Sequence, residues 1–307
     1  MTTGLALTQL LNGLQLGVLL FLLASGLTLV FGIMNFVNLM HGSLYMMGAY
    51  FAAAAYNATD GSFLAAALVS VPATLLLGLL VERLLLTTLY QRDHLDQVLA
   101  TFGLILFFNE LVRAIWGPSS VYMNTPQWLS GTVELFGLPY PAYRFAIIAV
   151  GLVVGAGLYL VIHRTRVGML IRAGASNPDM VSALGVNIKG LNSVVFALGA
   201  ALAGLAGLMA GPIVSVQSGM GEPILILTLV VIVTGGIGSI RGAFYGALIV
   251  GTVDTVGRAF LPALLREFLE RSIAQAAGPA IASMLIYLLM AAVLALRPQG
   301  LFPVKHG

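Results

Sequence analysis

The chain has 307 residues, of which 59% are hydrophobic and 8% charged, with a net charge of +3 and no cysteine. Soluble domains carry about 25% charged residues, so the composition excludes a water-soluble globule, and the basic residues form no cluster suited to nucleic acid. Disulfides, thiolate metal sites and cysteine nucleophiles are excluded as well.

The mean hydropathy is +1.01. From Met1 to Val81 the single charged residue is Asp60. The uncharged stretch Gly13–Met34 would span roughly 33 Å as a helix, matching a hydrocarbon core of about 30 Å. Barrel strands would show alternation over about ten residues, whereas these apolar runs are continuous and longer, so helices are expected. No Lys or Arg precedes Arg83, so the first run lacks the positive flank of a signal peptide and is expected to stay as a span.

In chain order the expected spans are 7–33, 39–57, 62–82, 97–116, 143–163, 191–213, 222–238, 242–262 and 279–296. The predicted fold class is all-α: a polytopic transmembrane helical bundle of eight to ten spans, some of them discontinuous, forming one domain over 1–307. Arg83 and Arg92, then Arg164, Arg166, Arg172 and Lys189, then Arg297 and Lys305 mark three basic loops, whereas 57–62 and 117–142 contain no Lys or Arg. The positive-inside rule then places the N-terminus outside and the C-terminus in the cytoplasm. Residues 263–278, with Arg266 and Arg271, are expected to form a short amphipathic surface helix on the outer side.

The first polar constellation lies between Gly32 and Gly42. Asn35, Asn38 and His41 recur every third residue and would share one side of a helix. Polar groups in lipid need partners or water, so the stripe either lines a translocation route or fastens two helices. Metal binding is not expected, since no second His or carboxylate stands at ligand spacing. Further on, Glu110 with Arg113 and Asp254 with Arg258 have the spacing of helical ion pairs, and Glu222 beside Pro223 is read as a solvated boundary residue. The turn-rich loop 117–142, with Trp116, Tyr122, Trp128 and Tyr140, suits a membrane interface. It reads either as a docking surface for an external partner or as a plain connection.

The segment 164–192 is the largest cytoplasmic loop. Within it Asn177 can cap a short helix with Pro178 at its first position and Gly185 beyond its end, and Met180, Val181 and Leu184 fall at helical spacing. Such an element suits a groove on a cytoplasmic protein, or else lies flat in the interface. The following helix carries Gly199, Gly204, Gly207 and Gly211 among alanines, a face for close helix approach. Gly235, Gly236 and Gly238 then mark either a break between half-helices lining a cavity or an ordinary short loop. No carboxylate pair, Ser–His–Asp set or zinc-binding motif supports an enzyme.

Four separated blocks resemble the LivH-type permease family of bacterial branched-chain amino acid ABC importers. They are Gly26 to Gly42 (GLTLVFGIMNFVNLMHG) followed by Tyr45 to Tyr50 (YMMGAY), Ala183 to Asn187 (ALGVN), Gly235 to Gly246 (GGIGSIRGAFYG) and Arg297 to Phe302 (RPQGLF). The resemblance implies a permease subunit in the bacterial inner membrane, working with a second related LivM-like permease, two cytoplasmic ATPases and a periplasmic solute-binding protein. It implies no cofactor in this chain, with Mg-ATP bound by the ATPase partners. The loop at about 176–187, with Asn177, Pro178, Met180, Val181, Leu184 and Gly185, would be the coupling element. There the sequence keeps the glycine of ABC permease loops and lacks their acidic lead. Branched-chain amino acids are the first expected substrate class and urea or another small amide or amino acid the second. An ion-coupled transporter would need carboxylate relays, and Glu110, Glu222 and Asp254 are poorly placed for that.

Overall fold

The computed structural model describes residues 3–135 and 137–303. Its helices are α1 (Thr3–Met34), α2 (His41–Ala58), α3 (Phe63–Leu84), α4 (His94–Trp116), α5 (Ala142–Arg164), α6 (Arg166–Ser176), α7 (Pro178–Ala183), α8 (Ile188–Ala210), α9 (Gly221–Gly235), α10 (Ile240–Leu265) and α11 (Arg271–Leu296). A two-stranded hairpin, β1 (Thr132–Leu135) and β2 (Leu138–Pro141), precedes α5, with Val133 opposite Tyr140. The fold is an all-α polytopic bundle.

Seven of these helices are long and apolar enough to cross a membrane: α1, α3, α4, α5, α8, α10 and α11. Each of the nine expected spans coincides with a helix, but α2 and α9 fall outside that set. At 15 residues, α9 reaches only about 22 Å, short of a hydrocarbon core of about 30 Å. The expected surface helix over 263–278 is not formed. Instead α10 runs to Leu265 and α11 starts at Arg271, because the first turns of α11 bury Ala274 and set Gly278 against Pro262 of α10.

The centre of the bundle is α1 and α8, whose membrane-length stretches are 78% buried, against 11–28% in the five other long helices. Small residues make that possible. A Cβ on Gly26 of α1 would lie 2.8 Å from the Gly199 carbonyl oxygen of α8, and one on Gly17 would lie 2.9 Å from the Ala247 carbonyl oxygen of α10. Without a hydrophobic force between helices in lipid, such backbone contact supplies the dispersion energy that holds them together.

Two ends of the bundle can be told apart by their contacts. Gly32 near the end of α1 meets Gly238, and Glu82 near the end of α3 meets Ser193 near the start of α8. The basic loops gather on this side, the basic end. At the opposite, hairpin end, Asn12 of α1 accepts from Tyr140 and Arg144 beside the β-hairpin.

Between α5 and α8 the structure holds one helix more than expected. The short element forms as α7, with the Asn177 side chain accepting from the Met180 amide at 2.9 Å, Pro178 in the first turn and Gly185 at φ +85°. Ahead of it lies α6, capped by Thr165. Its two glycines conceal it in the sequence: Gly168 and Gly174 are both buried, placed where α6 presses on the end of α5 and on Leu191.

Candidate functional site: two broken spans gripped by one helix

The segment 35–40 is not helical. Asn35 takes φ +47°, a left-handed conformation that asparagine tolerates better than most residues, and α1 ends there. Asn35, Asn38 and His41 therefore do not share a helical face, contrary to the sequence reading. Asn35 is exposed, whereas Asn38 and His41 are each 1% exposed.

From the basic end the chain climbs back into the bundle. The Val37 amide donates to Gln97 Oε1 at 3.1 Å, and the Leu39 amide donates to Thr101 Oγ1 at 3.3 Å, both on α4. His41 then opens α2 beside the middle of α1, its Nε2 3.1 Å from the Leu23 carbonyl oxygen. Leu23 stands 11 residues before Met34, so α2 begins about 16 Å inside the bundle. Side chains of α4 thus replace the backbone partners that the broken span lacks, which lipid cannot supply.

The second break mirrors this from the hairpin end. After α8 the chain 211–220 is irregular, pairing Val216 with Val121 in an antiparallel bridge. Asn109 of α4 accepts from the Gly219 amide through its side chain and from the Ser218 hydroxyl through its backbone carbonyl. Its amide nitrogen also donates to Glu222 in the first turn of α9. Glu222 is therefore a half-buried first-turn residue bonded to Asn109 at a helix N-terminus, where negative charge is favoured, rather than a solvated one. The two broken helices meet at their starts: a Cβ on Gly42 would lie 2.5 Å from the Gly221 carbonyl oxygen.

Asn38 remains exceptional at this junction. Neither its amide nitrogen nor its amide oxygen has a partner among the described residues, and His41 Nδ1 is likewise unpartnered. The glycines of the other candidate set stand elsewhere. Gly235, Gly236 and Gly238 form the tight turn from α9 into α10 at the basic end, with Gly236 at φ +111° and Gly238 at φ +81°. The carbonyls of Thr234 and Gly235 accept from the Leu301 and Phe302 amides at 3.0 and 2.9 Å, so the C-terminal tail caps α9. Asn35, Gly238 and Pro178 do come together, lining one cavity of about 640 Å³ at the basic end.

Both expected ion pairs are present at 2.7 Å, and Arg258 also reaches Ser283. Several polar residues escaped the sequence reading. Gln97, Thr101 and Asn109 are one set, and their spacing of four and eight along the uncharged middle of α4 is the signal that would have found them. Glu82 is another: fully buried, it accepts from Tyr90 Oη at 2.7 Å and Ser193 Oγ at 2.8 Å. Burial, and then the hydrogen bond and charge of Glu82, hold the Tyr90 phenol well above its ordinary pKa, so it stays a donor. Tyr90 in turn packs edge-on against Phe36 in the first break. Glu82→Leu would orphan both hydroxyls, and about 1–3 kcal/mol is expected for each buried group left unpaired; the apparent unfolding midpoint in detergent checks this, and an unchanged midpoint would remove the linkage.

A family described as the permease component of branched-chain amino acid transport systems matches residues 9–294. The chain belongs to this permease family. The LivH permease protein of Escherichia coli, named for high-affinity branched-chain amino acid transport, is 30% identical over 273 residues, covering 83% of this chain and 87% of LivH. The BraD permease protein of Pseudomonas aeruginosa, named for the same transport, is 31% identical over 263 residues, covering 82% of this chain and 86% of BraD. Among solved structures, one described as an inward-facing metal-chelate type ABC transporter aligns at 21% identity with a TM-score of 0.46, covering 92% of this chain and 86% of that one. This permease is a multi-pass membrane protein of that transport family.

Proposed function

We propose that this permease carries branched-chain amino acids across the bacterial inner membrane, and that the junction of α2 and α9 with Asn38 and His41 lines the route. The observation that carries this reading is Asn38: a buried amide with no partner in a lipid-embedded bundle is tolerated where water or a passing solute meets it. Half-helices whose ends meet inside the bilayer serve transporters in the same way. The names of the relatives support the substrate class. Gly42 against Gly221 would then form a narrow point that opens by separation of α2 from α9. Gly235, Gly236 and Gly238 act as the hinge at the base of α9.

The working transporter pairs this chain with a second related permease, two cytoplasmic ATPases that bind Mg-ATP, and a periplasmic solute-binding protein. The N-terminus faces outward, the basic end faces the cytoplasm, and the segment from Asn177 to Gly185, with α7 at its centre, receives the ATPase stroke. Leu184 is 77% exposed with Met180 beside it, an apolar tip suited to a groove on such a partner.

Reconstituting the assembled transporter in proteoliposomes tests both parts. In Asn38→Leu, leucine uptake is expected to fall at least tenfold while the complex still assembles; normal uptake would move the route elsewhere. Leu184→Asp should leave uptake low with ATP hydrolysis persisting, since a charge buried in an apolar groove is strongly unfavourable. Full coupling in that variant would relocate the docking element. Uptake of urea without leucine uptake would overturn the substrate class.

A further inference from the structure

The cavity at the basic end lies between the end of α1, α6 and the α9–α10 turn, away from the α2–α9 junction. Its walls are largely apolar, including Leu29, Ile33 and Ile171, and its charged lining residues are Arg172 and Arg241; none is acidic. Both arginines are exposed, and each guanidinium makes one contact with α5. Arg172 donates to the Ile162 carbonyl oxygen, and Arg241 lies over the Tyr159 ring at 5.9 Å from its centroid, with that ring stacked on His163 at 4.2 Å.

Two further features point to a ligand. The N-terminus of the 26-residue α10 opens at the cavity through Ser239, Ile240 and Arg241, adding the partial positive charge of a helix start. Thr28 also lines the space, is 1% exposed, and its hydroxyl has no partner among the described residues. A buried hydroxyl without a partner calls for an acceptor or donor from outside the chain.

We infer that this cavity binds the headgroup of an anionic phospholipid, its phosphate between Arg172 and Arg241. A soluble anion would leave the apolar walls uncovered, whereas a lipid fills them with the upper part of its acyl chains. The position fits, because α6 follows a membrane-spanning helix directly and carries Arg166 and Arg172 alongside the buried Ile171, the pattern of a helix lying in the interface. Basic pockets between helices near the membrane surface are suited to such headgroups. Because α6 and Pro178 of α7 form one wall, an occupied cavity would set the position of the α6–α7 pair. The inference does not depend on the passage proposed through Asn38.

The test uses the full chain purified in a neutral detergent, titrated with short-chain phosphatidylglycerol, short-chain phosphatidylcholine or inorganic phosphate while thermal unfolding is followed. Phosphatidylglycerol is expected to raise the unfolding midpoint saturably, and the other two are not. Arg241→Gln should raise the half-saturating concentration about fivefold, the factor expected for one basic contact to an anionic lipid, and Arg241→Lys should restore most of it. Equal protection by phosphatidylcholine would overturn the inference, as would an unaltered titration in Arg241→Gln. Protection by inorganic phosphate at the same concentration would assign the site to a soluble anion and overturn the lipid. The comparison on the unmodified chain decides the matter even if a variant fails to accumulate.

Discussion

Gly48→Ala is expected to lower the stability of the bundle by about 3 kcal/mol, the upper part of the range for forcing a methyl into a packed interior. Gly48 lies where α2 crosses α8, and the added Cβ would fall on the backbone of Gly204, 2.7 Å from its carbonyl oxygen. The obstacle is main chain, so no rotamer change relieves it. The adjoining contact makes retreat harder, because Gly207 of α8 faces the Tyr45 carbonyl and the Ala49 amide of α2. Behind α8 stands α3, with Thr74 against Gly204 and a hydrogen bond from Ser70 Oγ to the Gly48 carbonyl at 2.7 Å. Gly103→Ala on α4 is the matched control, since nothing lies within 4 Å of its Cβ position and alanine favours a helix by about 1 kcal/mol. Unfolding midpoints and the monodisperse yield of both variants in detergent give the comparison. Equal stability of the two would show that α2 does not cross α8 at these glycines.

Gln97→Leu is expected to cost about 2–5 kcal/mol and to release the first broken span. Gln97 is 3% exposed and makes three bonds to main chain: it accepts from Val37 and donates to the carbonyls of Leu89 at 3.3 Å and Arg92 at 3.1 Å. Leucine keeps the volume and removes all three. Each buried group left unpaired costs about 1–3 kcal/mol, and the two carbonyls near the basic end recover part of that by hydration. The Val37 amide, deeper in the bundle, does not. Hydrogen exchange resolved to peptides reads this directly: protection over 35–40 should fall while the middle of α8 keeps its own. Unchanged exchange there would mean that other groups hold the segment. Gln97→Glu separates the two roles, keeping the acceptor for Val37 and losing both donors, and should retain most of the protection at Val37.

The helices were legible because apolar runs of span length admit little else in lipid, and all nine expected runs coincide with helices. The small-residue face of α8 announced close packing, but sequence alone does not say which backbone arrives, and the pairing of Gly204 with Gly48 emerges only in three dimensions. Asn35, Asn38 and His41 misled in shape. Their spacing of three reads as helical, whereas 35–40 is not helical and its Val37 and Leu39 amides are bonded by residues some 60 positions later. Local pattern cannot report a partner so distant. The same holds for Glu82, which looks like a boundary charge until Tyr90 and Ser193 are seen to enclose it. Asn177 and Pro178 lay at the favourable extreme, because a cap and its helix are neighbours in the chain.

The tail contact has a consequence for how the molecule is made. Ribosomal synthesis delivers Thr234 and Gly235 long before Leu301 and Phe302, yet the last carbonyls of α9 are satisfied by those late amides. Until the segment after α11 emerges, the base of α9 lacks these two closing bonds. Synthesis of the segment after α11 is thus also what closes the basic end of α9.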